Sequence, residues 1–364
     1  MRPAIPWLPC AGEAVLNEPL TSDLDKVLEI HRKVVLEGFC KDAQVTNKCY
    51  AVSNLRGGVG KTSITFNLAF EMSRRQSVLL ADVCPQANLT EVIMKGEKPK
   101  VTIYNALQPR VLGPAFGDEA KDISYRVSQF APSFAGGKGC YFIPGDAELY
   151  EFPSYLYQQL GVANTRNNTS IVKTLLWSLR DILKQEAKEL KCDSILIDTS
   201  PFYSGGTHLA WCAADALIIP VRVDEHSVES LGLLLELLTD KTRDFAQWNE
   251  RGGGLSTPKV AAIVMTMAGA KSQKEATPDA ASRMFIERAL RIASKHPHLF
   301  EADPTDAFVI TDDFMSAGRI SGAKSIPISE LKVGGFHTVS ERRLQVNQSA
   351  ERYQRELAYL TSIL

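Results

Sequence analysis

Between residues 54 and 63 the chain reads Asn54-Leu55-Arg56-Gly57-Gly58-Val59-Gly60-Lys61-Thr62-Ser63, a run of glycines directly ahead of a lysine and two hydroxyls. Gly57, Gly58 and Gly60 allow backbone angles closed to residues with a Cβ, so successive amide N–H groups, from Gly57 through Val59 to Ser63, can converge on one set of anionic oxygens. Lys61 supplies the charge that reaches β- and γ-phosphates, and the Thr62 hydroxyl is a hard oxygen ligand suited to Mg²⁺. A helix starting near Lys61 adds the positive end of its dipole. The chemistry implied is the gripping of a nucleoside triphosphate with magnesium.

Such a loop needs a strand in front and a helix behind. Tyr50-Ala51-Val52-Ser53 is short and apolar, as a buried strand is, and Ile64, Leu68, Ala69 and Met72 keep one helix face apolar. A second strand, Ser194-Ile195-Leu196-Ile197, ends in Asp198 and places a carboxylate at the edge of the sheet, near magnesium and the γ-phosphate.

The stretch from Arg56 to Thr62 resembles the deviant phosphate loop of the ParA/MinD/Soj partition ATPases, Lys-Gly-Gly-x-Gly-Lys-Ser/Thr. Asp82-Val83-Cys84-Pro85-Gln86-Ala87-Asn88 is similar to that family's Asp-x-Asp-Pro-Gln-Gly-Asn, and Asp198-Thr199-Ser200-Pro201 to its Asp-Thr-x-Pro. The resemblance spans roughly residues 49 to 360, with three short motifs as its specific part. It implies ATP and Mg²⁺ as cofactors, with Thr62, Asp82 and Asp198 at the metal and Lys61, Asp82, Asp198 and Arg56 as the catalytic set. Two positions depart from the family. Arg56 replaces the signature lysine that crosses the dimer interface to the partner's nucleotide; arginine keeps the charge but not the reach. Cys84 replaces the aspartate that orients the attacking water, and a neutral thiol is a poor substitute, so hydrolysis is expected to be slow.

The function that follows is an ATP-dependent dimerising switch with slow, partner-stimulated hydrolysis, acting in plasmid or chromosome partition or in cargo positioning. The alternative, which takes Arg56 and Cys84 literally, is a hydrolysis-deficient nucleotide-binding dimer inside a larger assembly. An iron-protein type of reductase shares the loop but needs a pair of cluster-bridging cysteines, and none is evident. The expected partners are a second copy of the chain, a ParB-like or other stimulating protein, and non-specific DNA held by Arg319, Lys324, Lys332, Arg342 and Arg343, with Lys241 and Arg243 as a lesser group. An ordinary solvated face is the competing reading of these cations.

Composition sets the outer limits. The 364 residues, 45% of them hydrophobic, suffice for a substantial core, and a formal net charge of -1 gives no global attraction to nucleic acid. Seven cysteines are scattered without a Cys-x-x-Cys pair, which points to reduced thiols in a cytosol rather than zinc or disulfides. Neither a signal peptide nor a membrane-spanning run is evident, so a cytoplasmic protein, nucleoid-associated if it binds DNA, is expected.

The remaining elements must position these groups. The expected fold is α/β, a mostly parallel twisted sheet with helices on both faces, as in P-loop NTPases. Residues 1–46 read as an N-terminal extension with one amphipathic helix from Thr21 to Phe39, capped by Thr21 or Ser22, that either aids dimerisation or packs on its own domain. Residues 47–364 read as the ATPase domain, with an irregular surface insertion around 108–140. Further strands are expected at 77–81, 140–143, 216–221, 260–265 and 308–310. Helices are expected at 101–107, 168–190, 225–238, 280–294 and 340–360, the last packed on the domain rather than on a membrane.

Overall fold

The computed structural model describes residues 22–42, 47–272 and 276–364. Its central strands are β1 (Cys49–Val52), β2 (Val78–Asp82), β3 (Tyr125–Arg126), β4 (Cys140–Ile143), β5 (Ser194–Asp198), β6 (Ala216–Arg222) and β7 (Lys259–Thr266). After a small ribbon of β8 (Ala270–Ser272) and β9 (Thr277–Pro278) the sheet is completed by β10 (Phe308–Ile310). The order is β10-β7-β6-β1-β5-β2-β4-β3, and every pairing is parallel except that of β3 with β4. β1, β2 and β5 are buried along their whole length, the unbroken apolar pattern of parallel strands covered on both faces.

The helices begin with α1 (Asp23–Glu37), α2 (Lys61–Ser73), α3 (Asn88–Met94) and α4 (Ile103–Leu112). They continue with α5 (Phe152–Thr165), α6 (Thr169–Leu176), α7 (Ser178–Leu190), α8 (Gly205–Ala213), α9 (Glu225–Thr239) and α10 (Asp244–Arg251). Last come α11 (Ala280–Ala293), α12 (Met315–Lys324), a hairpin of β11 (Phe336–Val339) and β12 (Arg342–Gln345), and α13 (Ala350–Ser362). One face of the sheet is covered by α2, α3 and α13, the other by α4 to α11. Ala51 and Ala81 point into the second core, Tyr50, Val52 and Leu80 into the first.

α1 begins at Ser22, whose hydroxyl accepts from the Asp25 amide, and ends at Gly38 in the left-handed conformation. It buries Val27, His31, Val34 and Val35 and packs against α11, α13 and the exposed side of β10, thereby covering an open sheet edge. A buried polar cluster ties it down: Arg352 of α13 donates to Glu356 at 2.7 Å, lies 3.4 Å from Asp312, and reaches His31 Nε2 at 3.2 Å. Burial, with the nearby guanidinium, pushes His31 down to about 3, so the ring stays neutral and accepts from Arg352. The helix thus packs on its own domain.

Several elements differ from the sequence reading. α2 shows not one apolar face but burial at every position from Ile64 to Ser73, because α13 and the turn at Ile328 lie against its back. Asn67 on that side accepts from the Ile328 amide at 2.7 Å. The single helix expected over 168–190 is two, α6 and α7, broken at Trp177, and Ile171 is exposed. The 340–360 helix starts only at Ala350; residues 342–345 pair with 336–339 instead. α3, α5, α8, α10 and α12 lie outside the helices expected from sequence.

The 108–140 stretch is also more than a surface excursion. Its first residues extend α4 to Leu112, and the rest buries Ile123, Val127, Ala131 and Phe134. The Phe134 ring lies 5.6 Å from that of Phe66 and 5.2 Å from that of Phe70, so the segment closes the β4 end of the core over α2. Replacing Phe134 with alanine should lower unfolding stability by about 3 kcal/mol, since a buried aromatic is lost from a packed site. A denaturant titration showing a change below about 0.5 kcal/mol would return the segment to the status of a surface loop.

Candidate functional site

β1 lies between β5 and β6, at the point where the chain turns to build the sheet in opposite directions, and the loop after it opens at the carboxyl edge. Gly58 has φ 73° and Gly60 φ 91°, left-handed angles that fold residues 57–60 into a turn. Hydrogen bonding inside α2 begins with the Ile64 amide donating to the Gly60 carbonyl. Ahead of it, the N–H groups of Gly57 through Ser63 have no hydrogen-bond acceptor among the described residues. Seven consecutive unpaired donors at a helix start form the cradle that an anion requires.

The loop is anchored from its first residue. Asn54 is fully buried and donates to the Pro220 carbonyl at 2.6 Å, while its Oδ1 accepts from the Arg56 amide at 3.0 Å and from the Ser230 hydroxyl of α9 at 2.7 Å. Val59 is buried, and its carbonyl accepts from Thr266 at the end of β7 at 3.1 Å. Lys61 is folded back into the loop and donates to the carbonyls of Asn54 at 3.0 Å and Arg56 at 2.8 Å. Burial lowers its pKa to about 8, with Asp198 and Cys84 opposing, so the ammonium is charged at neutral pH and ready to exchange two neutral acceptors for phosphate oxygens.

Asp198 ends β5 with no solvent exposure, and its two oxygens accept from Thr62 Oγ1 at 2.8 Å and Thr65 Oγ1 at 3.1 Å. Asp82 is its register partner on β2. Burial raises the pKa of both carboxyls, and in Asp198 the Asp82 charge raises it further. Two buried carboxyls with one ammonium beside them form a site in deficit of positive charge. The donor set fits a hard divalent cation: the Thr62 hydroxyl and Asp198 carboxylate are oxygens, already in contact, at the mouth of the cradle.

Asp82, expected in the catalytic and metal-binding sets, has both oxygens hydrogen-bonded within its own turn. Its Oδ1 accepts from the Cys84 amide at 3.0 Å and its Oδ2 from the Thr90 amide at 2.9 Å and hydroxyl at 2.8 Å. It therefore shapes the 84–90 turn and, like Asp198, lies behind the cavity over the loop. That cavity, about 200 Å³, is lined by Gly57, Gly58, Gly60, Lys61, Thr62, Ser63, Cys84, Gln86, Asn88, Thr199 and Pro201. Cys84 does line it, and burial first, then Asp82, pushes its thiol up to about 12; the group facing the cradle is a neutral S–H. Arg56 stands at the rim, its side chain 43% exposed and its Nε 3.9 Å from Asp224.

A second cavity, about 290 Å³, meets the first at Gly60 and Ser63 and runs between the ends of β7 and β10, lined by Thr266, Met267, Thr311, Asp312, Asp313 and Phe314 among others. Together the two give a phosphate cradle with an adjoining chamber. The sequence reading missed this chamber, Asn54 and Thr65. Only Thr65 left a signal, since position i+3 from Thr62 lies on the same helix face.

The sequence pattern of the AAA domain family matches residues 47–247, over half of the chain. The chain belongs to that family and is of its ParA/MinD P-loop type. The chromosome-partitioning ATPase Soj of Thermus thermophilus is 27% identical over 191 residues, 52% of this chain and 61% of Soj. The chromosome partitioning protein ParA of Caulobacter vibrioides is 27% identical over 221 residues, 60% of this chain and 68% of ParA. The chain thus spans about two thirds of the length of these relatives, and slightly less for Soj. In fold it is similar to McdA of Cyanothece, solved as a complex of an aspartate-to-alanine variant with ATP, at a TM-score of 0.56 and 21% identity over 78% of this chain and 89% of McdA.

The strain of the ParA/MinD-type site in the free protein is testable. Asp198 has its pKa raised on folding, so the native state binds the extra proton and stability falls as pH rises from the unfolded value of about 4 through the folded one. Asp198→Asn removes that loss. Its stability gain over wild type should be larger at about pH 8 than at about pH 5, by roughly 1 to 3 kcal/mol. Equal gains at both pH values in thermal melts would show that the carboxylate is ionised at no cost.

Proposed function

We propose that this ParA/MinD-type protein is an ATP-binding, dimerising switch with slow hydrolysis that serves in plasmid or chromosome partition or in the positioning of another cargo. The observation that carries the reading is the row of unpaired amides from Gly57 to Ser63 with the Lys61 ammonium folded among them. The amides bind and orient the phosphate chain, and Lys61 moves from two carbonyls onto the β/γ oxygens. Thr62 and Asp198 would hold Mg²⁺, which when bound neutralises the triphosphate. Arg56, exposed at the rim and lightly held by Asp224, is free to reach a nucleotide on a second copy of the chain.

A second reading, a hydrolysis-deficient nucleotide-binding dimer within a larger assembly, is favoured by one observation. Where a carboxylate would orient water, the cavity carries the protonated thiol of Cys84. In either case the protein acts in the cytoplasm, and a ParB-like or other partner is needed to raise turnover.

Binding of DNA without sequence preference is part of the proposal. Arg319 and Lys324 on α12, Lys332 in the turn before the hairpin, and Arg342 and Arg343 on the hairpin packed against α12 are all exposed, and none pairs with an acid among the described residues. Arg343 lies over the Phe336 ring at 4.0 Å. The lesser group is weaker than its sequence suggests, because Arg243 is already engaged by Glu236 at 3.8 Å and Asp240 at 3.6 Å. Among the described residues no helix is long and apolar enough to cross a membrane, and α13 buries Tyr353, Leu357 and Leu360 within the domain.

Lys61→Ala should abolish ATP binding in a calorimetric titration, and unchanged affinity would defeat the reading at its root. Arg56→Ala should bind ATP as wild type does yet fail to gain mass in sedimentation with ATP; full dimerisation would remove the cross-subunit role. Single-turnover hydrolysis separates the two functional readings. Restoration by Cys84→Asp, by about tenfold or more, supports the hydrolysis-deficient dimer. Brisk partner-stimulated turnover by wild type refutes it.

A further inference from the structure

Thr65 stands one turn into α2 and is fully buried. It lines neither the cavity over the loop nor the chamber beside it, so a ligand seated in either does not meet it. Its hydroxyl has two acceptors in reach, the Lys61 carbonyl at 3.0 Å and Asp198 Oδ1 at 3.1 Å. Thr165, Thr174 and Thr361, also helical, bond back to the carbonyl four residues earlier and to nothing else among the described residues. Thr65 adds a carboxylate, and a carboxylate is the stronger acceptor for a hydroxyl's single proton.

The other oxygen of Asp198 leads toward the cavity. Oδ2 accepts from Thr62 Oγ1 at 2.8 Å, and Thr62 does line the cavity over the loop. A threonine hydroxyl carries one proton and two lone pairs. With the proton spent on Asp198, Thr62 has its lone pairs left to offer, and these are what a hard cation takes. Were the carboxylate to turn about its Cβ–Cγ bond, Thr62 would lose its acceptor, and its proton would be free to swing toward the cavity and oppose a cation. Thr65 resists that rotation, holding Oδ1 from the protein side while Thr62 holds Oδ2.

We propose that Thr65 is a positioning residue for magnesium, acting through Asp198 and Thr62 without touching the ion or the nucleotide. The inference rests on the nucleotide-binding reading above. It gives α2 two hydroxyls with different tasks on one face, Thr62 toward the ligand and Thr65 behind the carboxylate. Losing a supporting hydrogen bond of this kind lowers metal affinity by about tenfold to a hundredfold.

The test is calorimetric titration of the full chain with ATP, once in excess EDTA and once in saturating magnesium, which gives the factor by which the metal tightens binding. Thr65→Val keeps the shape and removes the donor. The magnesium factor should fall by about tenfold or more, while metal-free affinity stays within about twofold of wild type. Thr65→Ser returns the hydroxyl and should return the factor. A helix merely loosened by the substitution would weaken ATP with and without the metal alike, and thermal melts check that each variant is folded. Should Thr65→Val fail to fold, Thr65→Cys, whose thiol is a weak donor, carries the comparison. A magnesium factor unchanged when the hydroxyl is removed overturns the inference and leaves the nucleotide reading standing, as does a wild type that binds ATP equally well in EDTA and in magnesium. Wild type binding no ATP under either condition overturns both.

Discussion

The contact on which the structure depends is that between Asp198 and the start of α2. A carboxyl with no exposure, next to a second on the adjacent strand, is held by two threonine hydroxyls and faced by one ammonium. Burial of this kind is unfavourable unless charge of the opposite sign is supplied, and two hydroxyls do not supply it. The protein keeps the arrangement because the sheet brings β2 and β5 side by side and leaves their last residues at the one edge where α2 begins. The deficit of positive charge and the surplus of unpaired amides sit within one loop. A phosphate chain with its metal corrects both together.

Around this centre the two departures from the family pattern take on different weights. Arg56 sits outside the buried part of the site, in contact with solvent and loosely with Asp224, and nothing about the folding of the loop turns on its side chain. Cys84 is inside, with its amide fixed by Asp82 and its thiol protonated. Under the proposed function the first would alter reach across a surface. The second puts a neutral thiol where that function calls for a carboxylate, and no carboxylate lines the cavity over the loop among the described residues.

Much of this was legible from residue types and spacing. The loop, the apolar runs ending in Asp82 and Asp198, and the alternation of strands and helices are local patterns whose structural outcome is close to forced. What escaped was non-local. That Asp82 would spend its oxygens on Cys84 and Thr90 depends on a turn closing behind it. The all-round burial of α2 depends on a helix almost three hundred residues later in the chain, and the break at Trp177 hides inside a continuous apolar stripe. The chamber walls at Thr311 and Asp313 carry no sequence signature, because hydroxyls and carboxylates in a loop read as solvated until a neighbouring strand is shown to bury them.

The buried cluster at Arg352 has a mechanical consequence. Asp312 forms part of the chamber wall; Arg352, which lies against it, belongs to the C-terminal helix; and the same guanidinium reaches His31 in the helix that precedes the first strand. The two extremities of the described chain are thus yoked to one wall of the chamber by a single side chain. Loss of that guanidinium would loosen all three together, since Asp312, Glu356 and His31 share it as their common hydrogen-bonding and charge partner.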